Sequence, residues 1–170
     1  WEANMELVDI IPEFNLYEEY WRIYTKGDII TPQYISGSST INKSIIGEGV
    51  EIYGEVNNSV IGAGVVIEEG AVVSDSIVMK GSRIGANSRV TKAIIAENSI
   101  VGKDCEIGAF EFCESKYDKK VYNCDLAVIG ERTSIPDGVV IGKNTAILGK
   151  TTLDDYVNGK LLSGDFIVKV

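Results

Sequence analysis

Two glycine-rich stretches are the first residues whose types and spacing could do chemistry: "GEGVEIYG" at 47–54 and "GAGVVIEEG" at 62–70. A glycine-rich turn can cradle a diphosphate on its amide groups, but the dinucleotide pattern needs a third glycine at fixed spacing. Ile52 and Ile67 stand where that glycine belongs, and no GxxxxGK[ST] occurs anywhere. The chain has no histidine at all, which excludes a His-based triad, a His general base and a His-ligated metal. Its three cysteines, Cys105, Cys113 and Cys124, form no CxxC pair and read as reduced thiols. The acidic pair Asp154 and Asp155 reads as solvated surface. No residue of this chain is therefore assigned a catalytic or metal-binding role, and no bound cofactor is expected.

Composition narrows the class further. With 170 residues, 45% of them apolar, the chain is long enough for one folded domain with appendages. A net charge of −9 argues against nucleic acid, which needs a basic stripe. No apolar run approaches the roughly 20 residues of a membrane span, and no signal peptide is evident, so a cytoplasmic location is expected. Position 1 is Trp rather than Met, which reads as a fragment or a processed form.

The glycine stretches belong to a longer rhythm. Aliphatic residues recur every six positions: Ile46 and Ile52; Ile61, Ile67 and Val73; Val78, Ile84 and Val90; Ile95, Val101 and Ile107; and Ile129, Ile135, Ile141 and Ile147. The three middle triplets are displaced from one another by 17 residues. A hexad within a 17-residue repeat predicts three short strands per coil, stacked as a parallel β-helix with the aliphatics inward. Gly47, Gly62, Gly85, Gly102, Gly108, Gly130 and Gly142 follow inward positions and are expected to supply compact or left-handed corners. Asn87, Asn98 and Asn144, three residues before an inward aliphatic, are expected to take positive φ.

Other segments are organised around the stack. Residues 1–9 read as a helical piece with Trp1, Met5 and Val8 on one face, ended by Pro12. An aromatic-rich linker carrying Phe14, Tyr17, Tyr20, Trp21, Tyr24 and Tyr34 completes a unit at 1–34. The β-helix is expected over 35–153, with an excursion loop at 109–126 that contributes Lys116, Lys119 and Lys120. Residues 154–170 read as a C-terminal tail ending in a strand, "DFIVKV". An open solenoid leaves strand edges to cover, so self-association is expected.

Many hexapeptide β-helices are acyltransferases and others are carbonic anhydrases, and both activities rest on histidines that are absent here. "WEANMEL" followed by "FNLYEEYWRIYT" instead resembles the domain junction of bacterial ADP-glucose pyrophosphorylases (glucose-1-phosphate adenylyltransferases). "IPDGVVIGKN" is similar to that family's final coil, and the resemblance covers nearly the whole chain. It implies a left-handed β-helix, although the general crossover rule favours the right hand. It also implies an oligomeric, typically tetrameric, enzyme of glycogen synthesis that makes ADP-glucose and pyrophosphate from ATP and glucose 1-phosphate. Catalysis and its Mg²⁺ belong to an N-terminal domain, the partner of this C-terminal part, so this part is expected to be inactive alone. Phosphorylated effectors bind between the two domains through basic residues. The family's arginine before the "IPDG" corner maps to Glu131, with Arg132 one residue later. Arg132, Lys116, Lys119, Lys120 and Lys169 are thus the candidate anion contacts. The same domain on a mannose-1-phosphate guanylyltransferase, or on a non-catalytic regulatory subunit, is the alternative.

Overall fold

The computed structural model describes residues 1–16, 18–20 and 30–169. Tyr17, Trp21 and Tyr24, and with them the "WRIYT" segment, lie outside the described residues. Short parallel strands of two to four residues stack into three sheets of six, seven and seven strands, which form the faces of a prism. The stack fits a left-handed β-helix.

The hexad aliphatics occupy the interior in three straight columns. On the first face Ile52, Ile67, Ile84, Val101 and Ile135 are register partners from coil to coil. On the second face the column is Val56, Val73, Val90, Ile107, Ile141 and Leu161. On the third it is Ile61, Val78, Ile95, Ile129, Ile147 and Ile167. From Ile52 to Ile147 these side chains are buried. Each stands in a stiff β-branched rotamer on its copy one strand spacing away, which is why valine and isoleucine fill the columns. Ile41, Val56 and Leu161 belong to the columns but escape the hexad spacing, because the first and last coils have other lengths. The solenoid continues through Lys160–Leu161 and Phe166–Val168, so the C-terminal strand pairs with Thr145–Leu148 inside the stack.

The corners decide between the two roles expected of glycine. Positive φ is found at Asn87, Asn98 and Asn144, as expected. Of the glycines that follow inward residues, only Gly108 has positive φ. The others are required by close approach between coils. At Gly85, for example, a Cβ would sit 2.4 Å from the carbonyl oxygen of Gly102. The left-handed positions lie two residues further on, at Gly49, Gly64, Gly81, Asn98 and Arg132 along one edge.

Beside the apolar columns run ladders of buried hydroxyls. The Ser76 hydroxyl donates to the Ser74 carbonyl (2.7 Å) and accepts the Ala93 amide of the next coil (3.1 Å). Ser59 does the same toward Asn57 and Ser76. Ser82 and Ser99 form a second ladder, and Ser88 joins the Gly102 carbonyl to the Cys105 amide in a third. Backbone groups that cannot meet a partner directly at a corner are satisfied in this way. At the far end of the core Tyr156 closes the prism. Only 5% of it is exposed, and its hydroxyl shares a 2.7 Å hydrogen bond with Thr151.

Two expectations follow from this packing. Ser76→Ala leaves the Ala93 amide unpaired in a dry corner, while the Ser74 carbonyl keeps the Lys92 amide; it should cost about 1–3 kcal/mol, read from the shift in urea midpoint. Burial pushes the Tyr156 phenol up to about 12, above the usual value of about 10 for an unfolded chain. The folded state therefore holds the neutral phenol more firmly. That contribution is complete below about pH 10 and is lost as pH rises through about 12. Melting temperature followed across this window should fall more steeply for the native chain than for Tyr156→Phe.

Candidate functional site

Function can sit only outside the core, and the third face is unusual there. Its outward residues Ile45, Val60, Ile77, Ile94, Val128, Ala146 and Phe166 form an apolar row opposite the inward column. Two segments pack against it. The N-terminal helix Glu2–Met5 buries Met5, and the Trp1 indole N–H donates to the Asp75 carbonyl (2.9 Å). The excursion loop supplies the other cover. Between them lies a groove of about 340 Å³, with Trp1 on one side, Ile94 and Val128 as floor, and Val121, Tyr122 and Leu126 opposite.

The loop is tied at its neck by one side chain. Asn144, fully buried at a left-handed corner, donates to the Cys113 carbonyl (2.8 Å) and accepts the Asp125 amide (2.7 Å). The Asp125 carboxylate lies between the ammonium groups of Lys92 (3.4 Å) and Lys143 (3.5 Å). Further out, the Lys116 amide donates to the Gly164 carbonyl, and its ammonium pairs with Asp165. Tyr117 stacks against Phe166 at 4.8 Å. The loop is therefore a flange clasped to the last coils.

The five candidate anion contacts fall into two groups. Lys116, Lys119 and Lys120 lie on the loop; Arg132 and Lys169 lie along the edge that joins the third face to the first. Lys119 pairs with Glu114, and Lys169 pairs with Asp155. The partner carboxylates raise the pKa of Lys116 and Lys119. Lys169 lowers that of Asp155, which also accepts the Thr152 amide. Asp155 is thus engaged in the local structure rather than simply solvated.

Arg132 stands apart. Its φ is +54°, in a corner otherwise held by glycine or asparagine, and its side chain is 79% exposed. Two other basic residues take the same costly backbone, Lys43 and Lys92. Each reaches a carboxylate on a segment packed outside the coils: Lys43 meets Asp9 beyond the N-terminal helix at 2.7 Å, and Lys92 meets Asp125 of the loop. Among the described residues Arg132 meets only its sequence neighbour Glu131, at 3.3 Å. Sequence reasoning missed Lys43, Lys92 and Asp125. The signal was available, because Lys43, Lys92 and Arg132 all precede an inward aliphatic by three residues, as the corner asparagines do. A non-glycine side chain in this region costs roughly 1–2 kcal/mol, and asparagine tolerates it best. Arg132→Asn should therefore raise stability by up to about 1 kcal/mol, visible as a higher melting temperature. Lys92→Asn should not, because it also frees the loop.

Comparison with known proteins agrees with this architecture. The family model described as the GMPPB C-terminal domain matches residues 54–161. A glucose-1-phosphate adenylyltransferase of Lachnospira eligens is 59% identical over 99% of the chain, and one of Fervidobacterium nodosum is 49% identical over 86%. A third, from Acetivibrio thermocellus, is 39% identical over 99%. The chain spans about 40% of the length of the first of these relatives and 35% of the second. With the matched residues running through most of the prism, the chain belongs to the family of the GMPPB C-terminal domain.

Proposed function

We propose that this β-helix is the assembly and regulatory part of a glucose-1-phosphate adenylyltransferase. The whole enzyme would join ATP and glucose 1-phosphate into ADP-glucose and pyrophosphate for glycogen synthesis. The name shared by relatives 59%, 49% and 39% identical supports this substrate pair over a mannose-1-phosphate guanylyltransferase. In this reading the chemistry, with its Mg²⁺, belongs to a nucleotidyltransferase domain. Among the described residues no three carboxylate or thiol side chains are grouped to hold a metal ion. Also among the described residues, no helix is long and apolar enough to cross a membrane.

The observation that carries the regulatory role is Arg132: an exposed guanidinium on strained backbone which, among the described residues, meets no carboxylate beyond its own neighbour. Strain of this kind is retained where a side chain must be aimed. A guanidinium matches a phosphate with two parallel hydrogen bonds, so the partner that suits it is a phosphorylated effector or a phosphate ion. Lys169, on the same edge, is offered as a second contact there by exchanging its present partner Asp155. Lys116, Lys119 and Lys120 are offered as contacts from the loop, the first two by exchanging their present carboxylates. Assembly with further copies is supported by the open strand edges at Lys160–Leu161 and Phe166–Val168, beside exposed Leu153, Val157 and Leu162.

The test is kinetic and uses the full-length enzyme. Arg132→Gln should leave the rate with ATP and glucose 1-phosphate unchanged in the absence of effectors. It should raise the half-saturating concentration of a sugar-phosphate activator, or of inhibitory phosphate, by about tenfold, the equivalent of one charged hydrogen bond. An unaltered effector response overturns the role of Arg132. Turnover with GTP and mannose 1-phosphate in place of ATP and glucose 1-phosphate overturns the substrate assignment.

A further inference from the structure

We propose that Asn158 is a site of spontaneous covalent modification, deamidation through a succinimide, with water as the only co-reactant. Asn158–Gly159 is the only Asn-Gly step in the chain. It forms the tip of a tight turn in which the Lys160 amide donates to the Val157 carbonyl (3.1 Å). Both central residues have positive φ, +53° and +71°, the pattern of a mirror-image type I turn. The reaction needs three things: a free side-chain amide, a free backbone nitrogen on the next residue, and open space around that nitrogen.

Asn158 meets all three. Its side chain is exposed and makes no hydrogen bond among the described residues, nor does the Gly159 amide donate one there. A Cβ built on Gly159 would find only the Gly138 carbonyl oxygen, 3.8 Å away. The other corner asparagines fail on the nucleophile. The nitrogen after Asn58 belongs to Ser59 and donates to the Ser44 hydroxyl (3.1 Å). The nitrogen after Asn87 donates to the Gly85 carbonyl, and that after Asn98 donates to the Ser82 hydroxyl. Asn58 and Asn87 also hold their side-chain amides on Asp75 and Asp104, while Asn144 is buried with both ends engaged. Serine hydroxyls thus shield Asn58 and Asn98, a backbone carbonyl shields Asn87, and burial shields Asn144.

In the reaction the Gly159 nitrogen, its proton removed by hydroxide, bonds to the Asn158 side-chain carbonyl carbon. The bond from that carbon to the amide nitrogen breaks, and ammonia leaves with a proton taken from water. Water then opens the five-membered ring at either carbonyl, giving aspartate or isoaspartate and one additional negative charge. Isoaspartate places an extra carbon in the backbone next to Gly159, whose carbonyl accepts the Val140 amide (2.9 Å) and anchors the turn to the preceding coil. Modification would therefore loosen the last coil.

The experiment is long incubation of the intact chain at mildly alkaline pH, followed by proteolysis, mass spectrometry and isoaspartyl methyltransferase labelling. A mass gain of about one dalton at residue 158, with isoaspartate, should accumulate several-fold faster than at Asn57, Asn87, Asn98 or Asn123. Asn158→Gln, which would need a larger ring, should remain folded by circular dichroism and lose the signal. Faster reaction at any other asparagine, or a mass gain at residue 158 without isoaspartate, overturns the proposal.

Discussion

The structure depends on the contact between an inward aliphatic side chain and its copy one coil away. A prism made of three short strands has room for about one side chain per face in each layer. That room is filled with β-branched residues whose rotamers are already restricted, so little entropy is lost on stacking. The contact is repeated along three columns, and no single coil could hold itself together without its neighbours. Close spacing between coils then dictates the glycines at positions such as Gly85. It also dictates small hydroxyl residues at the corners, where a larger side chain would not fit and an apolar one would leave amides unpaired.

Because the columns occupy the interior, polar function is confined to edges and to segments laid on the faces. The left-handed corners carry most of it. Where a corner has only to turn the chain, it uses glycine, asparagine or aspartate. Where it uses lysine, the cation fastens something external, the segment after the N-terminal helix or the excursion loop. Arg132 has the same backbone and an outward reach, which places the candidate effector contact on a rigid, strained scaffold rather than on a mobile loop. The two faces with mixed outward residues need no cover. The third, apolar on both sides, is covered by Trp1 and the loop.

Much of this was legible in the sequence. Spacing alone located the inward residues from Ile61 to Ile147, because a period of six is incompatible with any competing element. It did not locate Ile41, Val56 or Leu161, where coil length changes and the rhythm falls silent. It left the glycines after inward residues open between compact and left-handed backbone, since close approach and positive φ both select glycine and are indistinguishable in one chain. The serine ladders were not visible, because an isolated serine carries no signature of burial. The loop lysines could be named as exposed cations, but their carboxylates could not, since Lys116 and Asp165 are 49 residues apart.

The excursion loop has a length worth setting against the coil. The step from second-face to third-face column is five residues at Val56–Ile61, Val73–Val78 and Val90–Ile95, and 22 at Ile107–Ile129. The surplus is 17 residues, the length of one whole coil in the repeat. Kept in register, that much chain would have lengthened the prism by one strand spacing, about 4.8 Å. Placed outside, it leaves the axial length unchanged and gives the rod a lateral fin, so a cylinder otherwise alike at every height acquires one distinguishable side. Anything docking along the rod then has a rotational landmark, and the angle at which a neighbouring body is presented is set by where the chain departs from its own repeat.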